Sequence, residues 1–206
     1  MKIQTAGFFS LLAFLMAITV VTSCSKTDYI AGTWQGNPER MSNINGASDA
    51  TSTMTIDFSP MSDRKGSGEV NLTAVVEVQQ AVVGAGVYDS PYQANITATA
   101  SISGTYIAEE GEDDDYLLSL DASTLKVNID PSGVVFTENL TTGIERPVLD
   151  SLTAATADQW RVIISAAVRE QFYKYTHIED VKVHHGDMMS MEVDHRDMTL
   201  RRMAQN

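Results

Sequence analysis

Two unusually long alternating runs constrain the folding of this chain more than anything else in its sequence. In the first, Val70, Leu72, Ala74, Val76 and Val78 share one face, with Glu69, Asn71, Thr73, Glu77 and Gln79 on the other. In the second, Ile96, Ala98, Ala100, Ile102, Gly104 and Tyr106 face one way, and Asn95, Thr97, Thr99, Ser101, Ser103 and Thr105 the other. A period of two marks a strand with one dry and one wet face. Both runs exceed the usual strand of about five or six residues. Long strands with one dry face must curl or pack, and a sheet closing on itself removes its exposed edges. The expected fold is therefore all-β, an antiparallel meander closing into a barrel.

Shorter alternations support this reading. Met54, Ile56 and Phe58 alternate with Thr53, Thr55 and Asp57, and the pattern stops at Ser59-Pro60. Further pairs lie at Leu118/Leu120, at Leu125, Val127 and Ile129, and at Val134/Phe136. Residues 37–50 lack periodicity and read as a loop. The whole chain is expected to hold about seven to nine strands. One segment differs. Trp160, Ile163, Ile164, Ala167, Val168 and Phe172 follow a helical stripe broken by Gln171, so the spacing predicts an amphipathic helix over about 153–173. Thr156 and Gln159 are spaced as a capping box at its start. Packing of this helix on the barrel is the expected use of its apolar face.

After the helix, Val181, Val183 and His185 alternate, as do Met189, Met191 and Val193. A loop at 186–188 would set His185 opposite Met189, Val183 opposite Met191, Val181 opposite Val193 and Lys182 opposite Glu192. Residues 194–197 read as a further turn, and 198–202 as a last short strand.

The N-terminus carries an address. Lys2 precedes an apolar run from Phe8 to Val21, too short and too one-sided to span a bilayer. Removing residues 1–23 of 206 leaves 183 and, because Lys2 is the only charge in that segment, moves the net charge from −13 to −14. With 14 basic residues against 27 acidic ones, a phosphate-binding surface is excluded, and nucleic acid is discarded as a partner. Adhesion to anionic lipid by charge is disfavoured for the same reason. Cys24 is the chain's one cysteine, so no disulfide is available and stability must come from packing.

Val21-Thr22-Ser23-Cys24 resembles the lipobox of bacterial lipoproteins. That resemblance implies cleavage before Cys24 and acylation of it with palmitate-type chains, placing the protein on the cell envelope, in the outer membrane of a Gram-negative bacterium. Residues 1–23 are then a lipoprotein signal peptide, 24–29 the lipidated cysteine and a short tether, and 30–206 a single barrel domain. At Gly32-Thr33-Trp34, opening the first strand, the chain resembles the lipocalins and related calycins, whose barrel begins with a Gly-x-Trp motif. Lipobox and meander together are similar to lipocalin-like lipoproteins of Bacteroidetes. The lipocalin resemblance implies that Trp34 packs across the closed barrel end with an arginine from near the chain's end over its indole. Met198, Leu200 and Arg202 share a strand face, which makes Arg202, rather than Arg201, the arginine expected to meet Gly32 and Trp34.

Few residues carry chemistry. Ala98, Ala100 and Gly104, with Ile96, Ile102 and Tyr106 on the same inner face, leave room for a small apolar ligand. His177, Glu179, His195 and Asp197 would gather at one end of the last strands on the inward face, a donor set that suits zinc. Turn histidines are commonly only solvated, and no metal or other cofactor is expected. His184 and His185 point to opposite faces and cannot share an ion. Residues 109–115, Glu-Glu-Gly-Glu-Asp-Asp-Asp, lack the order of a calcium loop and read as a solvated hairpin tip. Asp150-Ser151-Leu152 resembles the short O-glycosylation signal of Bacteroidetes and is expected in an exposed loop. No nucleophile motif is present, so no enzyme is expected.

The function expected is a membrane-anchored, non-catalytic binding module of the cell envelope for a small apolar ligand. The alternative is an envelope interaction or structural protein whose solid barrel binds a protein or glycan partner through its surface.

Overall fold

The computed structural model describes residues 30–42, 44–62, 66–83, 92–110, 114–136 and 144–204. The signal segment, Cys24 and the tether lie outside them. Along the chain run β1 (Gly32–Gly36), β2 (Glu39–Arg40), β3 (Ala47–Phe58), β4 (Gly68–Gln80), β5 (Ala94–Ala108) and β6 (Tyr116–Leu120). Then come β7 (Lys126–Asn128), β8 (Val134–Phe136), the helix α1 (Arg146–Lys174), β9 (His177–His184), β10 (Met188–Val193) and β11 (Arg196–Arg202). Strands β1, β3, β4, β5, β6, β9, β10 and β11 each pair antiparallel with the next, and β11 returns to β1. Among the described residues the result is a closed eight-stranded meander with one α-helix. The three remaining strands are short flanking pieces. One of them, β2, and the start of β3 lie in the 37–50 segment that reads as loop.

The two alternating runs become β4 and β5, paired from Gly68↔Tyr106 to Gln79↔Asn95. Their apolar faces are sealed. Val70, Leu72, Ala74, Val76 and Val78, and opposite them Ile96, Ala98, Ala100, Ile102 and Tyr106, are all at 3% exposure or less. β1 closes the barrel by pairing on both sides, through Trp34↔Ile56 on β3 and Trp34↔Arg202 on β11.

The long strands change partners along their length. β5 pairs with β6 through Gly104–Ala108, but with β7 and β8 through its first half. β3 pairs with β1 at its end and with β2 near its start, at Thr51 and Ser52. Over this half of the sheet α1 packs against β4, β5, β7 and β8. Trp160, Ile164, Ala167, Val168 and Phe172 supply the buried stripe. Gln171, the polar break in that stripe, accepts a hydrogen bond from Ser52 Oγ at 2.9 Å, and Ser52 is wholly buried on β3.

α1 begins at Arg146, earlier than the periodicity predicts, and takes in residues 150–152, which are therefore helical and not a loop. Its N-cap is Glu145, with Pro147 in the first turn, where a missing N–H costs nothing. Thr156 and Gln159 are interior, and Thr156 is buried against the sheet. The first turns escape a periodicity search because Val148 is exposed and Leu149 and Leu152 are half-buried, so no apolar stripe forms.

The C-terminal register also differs from expectation. The β9–β10 loop is 185–187, so Val183 faces Met189 and Lys182 faces Ser190. Lys182 bonds Asp180 instead of Glu192, at 3.1 Å. His185 (φ +53°) and Gly186 (φ +81°) both adopt the left-handed region, which fixes the turn one residue earlier than the apolar pattern suggests. Asp180, also left-handed at φ +53°, is the extra residue of a bulge that brings Glu179 opposite Glu192. The last turn is two residues, Asp194 (φ +53°) and His195 (φ +61°), the geometry of a type I′ hairpin, so β11 starts at Arg196 rather than Met198.

Candidate functional site

Trp34 sits at one end of the barrel, where β1 pairs with β3 and β11. It is fully buried, and its Nε1 donates to Ile30 O at 2.8 Å. The Arg202 guanidinium carbon lies 4.2 Å from its ring centroid, and Nη1 donates to Ala31 O at 2.9 Å. Gly32 sits at φ +127°, and a Cβ there would meet Arg202 Nη1 at 2.7 Å. Gly32 is glycine for two reasons: its backbone conformation and the arginine lying over it. Phe58 and Tyr106 meet edge to face at 5.0 Å nearby, and the Tyr106 hydroxyl donates to Ser59 O.

The inner face of β5 is packed. A void of ligand size would leave its lining accessible to a water molecule, yet Ile96, Ala98, Ala100, Ile102 and Tyr106 range from 0 to 3% exposure. They share one continuous core with Trp160, Ile164, Val168 and Phe172 of α1. Gly104 has a different role. A Cβ there would lie 2.2 Å from Ser119 O, so its smallness admits the β6 backbone and not a ligand.

A cleft opens at the other end. About 420 Å³ in volume, it lies between β2 and the residues after it, the C-terminal turns of α1 and the β10–β11 hairpin. Its lining is mainly polar and carries both signs of charge, from Glu39, Arg40, Glu170, Lys174, Asp194, Arg196 and Asp197. The half-buried Met41 and Met198 give it a smaller apolar part over the buried Ala167, Tyr175 and Val193. Tyr175 is 2% exposed. Burial pushes its phenol well above the ordinary value of 10.0, and the Glu39 carboxylate adds to the shift. Its hydroxyl lies 3.5 Å from Met198 Sδ.

The four expected metal candidates are rearranged by the bulge. His177, exposed, and Glu179, half-buried, flank the buried Ile178 and lie on the outer face, not the inner one. His177 Nε2 lies 3.0 Å from Glu109 Oε2, and its Nδ1 lies 3.6 Å from Glu179 Oε1. His195 Nδ1 is 3.5 Å from Glu192 Oε1. The ligand atoms form two adjacent groups, Glu109–Asp115–His177 and Glu179–Glu192–His195, and Asp197 belongs to neither. Spacing along β9–β11 could not reveal Glu109 and Asp115, which are the two ends of the acidic hairpin tip. They reach β9 because β6 pairs with it at Leu117↔His177 and Asp115 Oδ1 accepts from Asp180 N at 2.9 Å. His184 Nε2 lies 3.0 Å from Ser190 Oγ, apart from both groups.

Among the described residues no helix is long and apolar enough to cross a membrane. Comparisons with family models, with curated proteins and with solved structures found no match to this chain.

Proposed function

We propose that this protein is a lipid-anchored, non-catalytic binding module of the cell envelope, a lipocalin-like barrel held in the outer membrane of a Gram-negative bacterium through Cys24. The observation that carries the reading is the cleft of about 420 Å³, which falls in the ordinary range for small-molecule sites. Because the interior around β5 is packed, the ligand belongs in this cleft rather than at the barrel centre. A mainly polar lining of both charges beside two half-buried methionines suits a small molecule with charged or polar groups and a short apolar part.

The anchor fits this use. Cys24 precedes Ile30 by six residues, a reach of roughly 20 Å when extended. Ile30 bonds Trp34, so the Trp34–Arg202 end would face the membrane. Arg196 at the cleft is six residues along β11 from Arg202, roughly 20 Å away, so the cleft would open outward. Acyl chains contribute roughly 0.8 kcal/mol per buried CH2, enough for two or three of them to hold such a domain stably.

Native mass spectrometry of the detergent-extracted protein from its own host tests both parts. The expected result is an acylated chain carrying a small bound molecule, with the bound mass lost in Ser42→Trp, which fills the cleft rim. Cys24→Ser should lose the acyl mass and leave the membrane fraction. An acylated Cys24→Ser chain would defeat the anchor, and a bound mass unaffected by Ser42→Trp would defeat the cleft.

A further inference from the structure

His177 faces a carboxylate with each of its ring nitrogens, Glu109 at 3.0 Å and Glu179 at 3.6 Å, the second an ion-pair distance rather than a hydrogen bond. An imidazole that binds a metal through one nitrogen is commonly oriented by a carboxylate on the other. The first side of His177 already has the form of a site. Ligand atoms of Glu109, Asp115 and His177 all lie within 4.8 Å of one another. Ligands at roughly 2.0–2.1 Å from a tetrahedral zinc are about 3.3–3.4 Å apart, close to the 3.0 Å between His177 Nε2 and Glu109 Oε2.

The three residues are also tied together through the fold. Glu109 and Asp115 close one hairpin by a backbone bond, and Leu117, two residues on, pairs with His177. Asp115 Oδ1 accepts the backbone N–H of Asp180 at 2.9 Å, which orients that carboxylate and leaves Oδ2 for an ion. Among the described residues no lysine or arginine lies within 4.0 Å of a carboxylate oxygen of Glu109, Asp115 or Glu179; Lys182, bonded to Asp180, feels the Asp115 charge from further off. We propose that Glu109, Asp115 and His177 bind a divalent transition-metal ion, zinc first among them, with Glu179 as the positioning carboxylate. One imidazole and two carboxylates leave a fourth place for water. Calcium, which takes six to eight oxygens, is poorly served by this set. The proposal is independent of the cleft and of the anchor.

The test is calorimetric titration of the chelator-treated purified protein with zinc chloride, and in parallel with calcium chloride. Saturable zinc binding is expected, weakened at least tenfold by His177→Ala and about tenfold by Glu179→Gln, with His185→Ala unchanged. His177 is an exposed side chain, so its variant should keep the fold, which far-UV circular dichroism checks. The proposal is overturned if zinc fails to bind, if His177→Ala binds as tightly as the parent, or if calcium binds more tightly than zinc. Loss on His195→Ala with none on His177→Ala would place the ion in the neighbouring group and overturn it equally. Absence of binding would mean that His177 only links the two hairpins through its contacts with Glu109 and Glu179.

Discussion

Arg202, in the last strand, lies over Trp34, in the first, with its guanidinium carbon 4.2 Å from the ring centroid. The two residues are also direct cross-strand partners, so the contact sits at the seam where the barrel closes. A guanidinium over an indole contributes roughly 0.5–2 kcal/mol, and this one also donates to Ala31 O.

Arg202→Ala should therefore lower unfolding free energy by about 1–2 kcal/mol, read by urea denaturation. Arg201→Ala, on the opposite face of the same strand, should change it by less than about 0.5 kcal/mol. Equal losses in the two variants would show that charge, not stacking, is what matters here.

Gly32→Ala should be the more damaging change at the same place. It puts a side chain at φ +127° and pushes a Cβ to 2.7 Å from Arg202 Nη1. A loss of about 2 kcal/mol or more is expected. In Gly32→Ala/Arg202→Ala the clash is gone but the backbone strain stays, so the double variant should lose less than the sum of the singles. Strict additivity in a denaturation cycle would refute the account of Gly32.

How much of this was legible in the sequence follows from where the signal lies. Strands β4 and β5 could be read because dry and wet residues alternate along most of their length, with only Val75 and Ile107 as exposed apolar exceptions among the large side chains. The Trp34–Arg202 contact was expected from the Gly-x-Trp resemblance to lipocalins, and strand parity only chose Arg202 over Arg201. The β9–β10 register was not, because apolar alternation fits two turns equally well and the choice rests on left-handed His185 and on the bulge at Asp180. The Glu109–Asp115–His177 group was hidden for a related reason. It depends on β6 pairing with β9 across the helix, a contact that no local spacing encodes. The cleft was equally illegible, since its walls come from three separated segments.

The packed interior makes its own prediction. If Ala98 faces close-packed neighbours, Ala98→Leu should overpack the core and cost about 1–3 kcal/mol. If the same position bordered a cavity, the larger side chain would fill it and raise the melting temperature. A stabilised Ala98→Leu would return the ligand to the barrel centre.

The two tryptophans should respond differently to phenylalanine. Trp34 Nε1 is bonded to Ile30 O, whereas Trp160 Nε1 is buried without a partner among the described residues. Trp34→Phe loses a hydrogen bond, a cation–π contact and volume, and should cost about 3 kcal/mol or more. In Trp160→Phe the volume loss is offset by removal of an unsatisfied donor, whose burial costs about 1–3 kcal/mol, so the net change should be about 1 kcal/mol or less. Equal costs would mean that Trp160 has a partner after all, such as an ordered water.

Tyr175 links stability to the cleft. Its pKa is raised by burial and then by Glu39, so the folded chain holds the phenol proton where the unfolded chain, titrating near 10.0, gives it up. For a group raised in the folded state, the contribution is fully present below the unfolded value and is lost as pH climbs above it. Tyr175 should therefore contribute a loss of up to about 1.4 kcal/mol per pH unit above pH 10. Tyr175→Phe keeps the ring and gives up only the weak contact with Met198 Sδ. Near pH 8 the variant should lie within about 1 kcal/mol of the parent, and above pH 10 the gap should move steadily in the variant's favour. Denaturation midpoints that run parallel from pH 8 to well above 10 would mean that water reaches the phenol. The floor of the cleft would then be open where the structure shows it sealed.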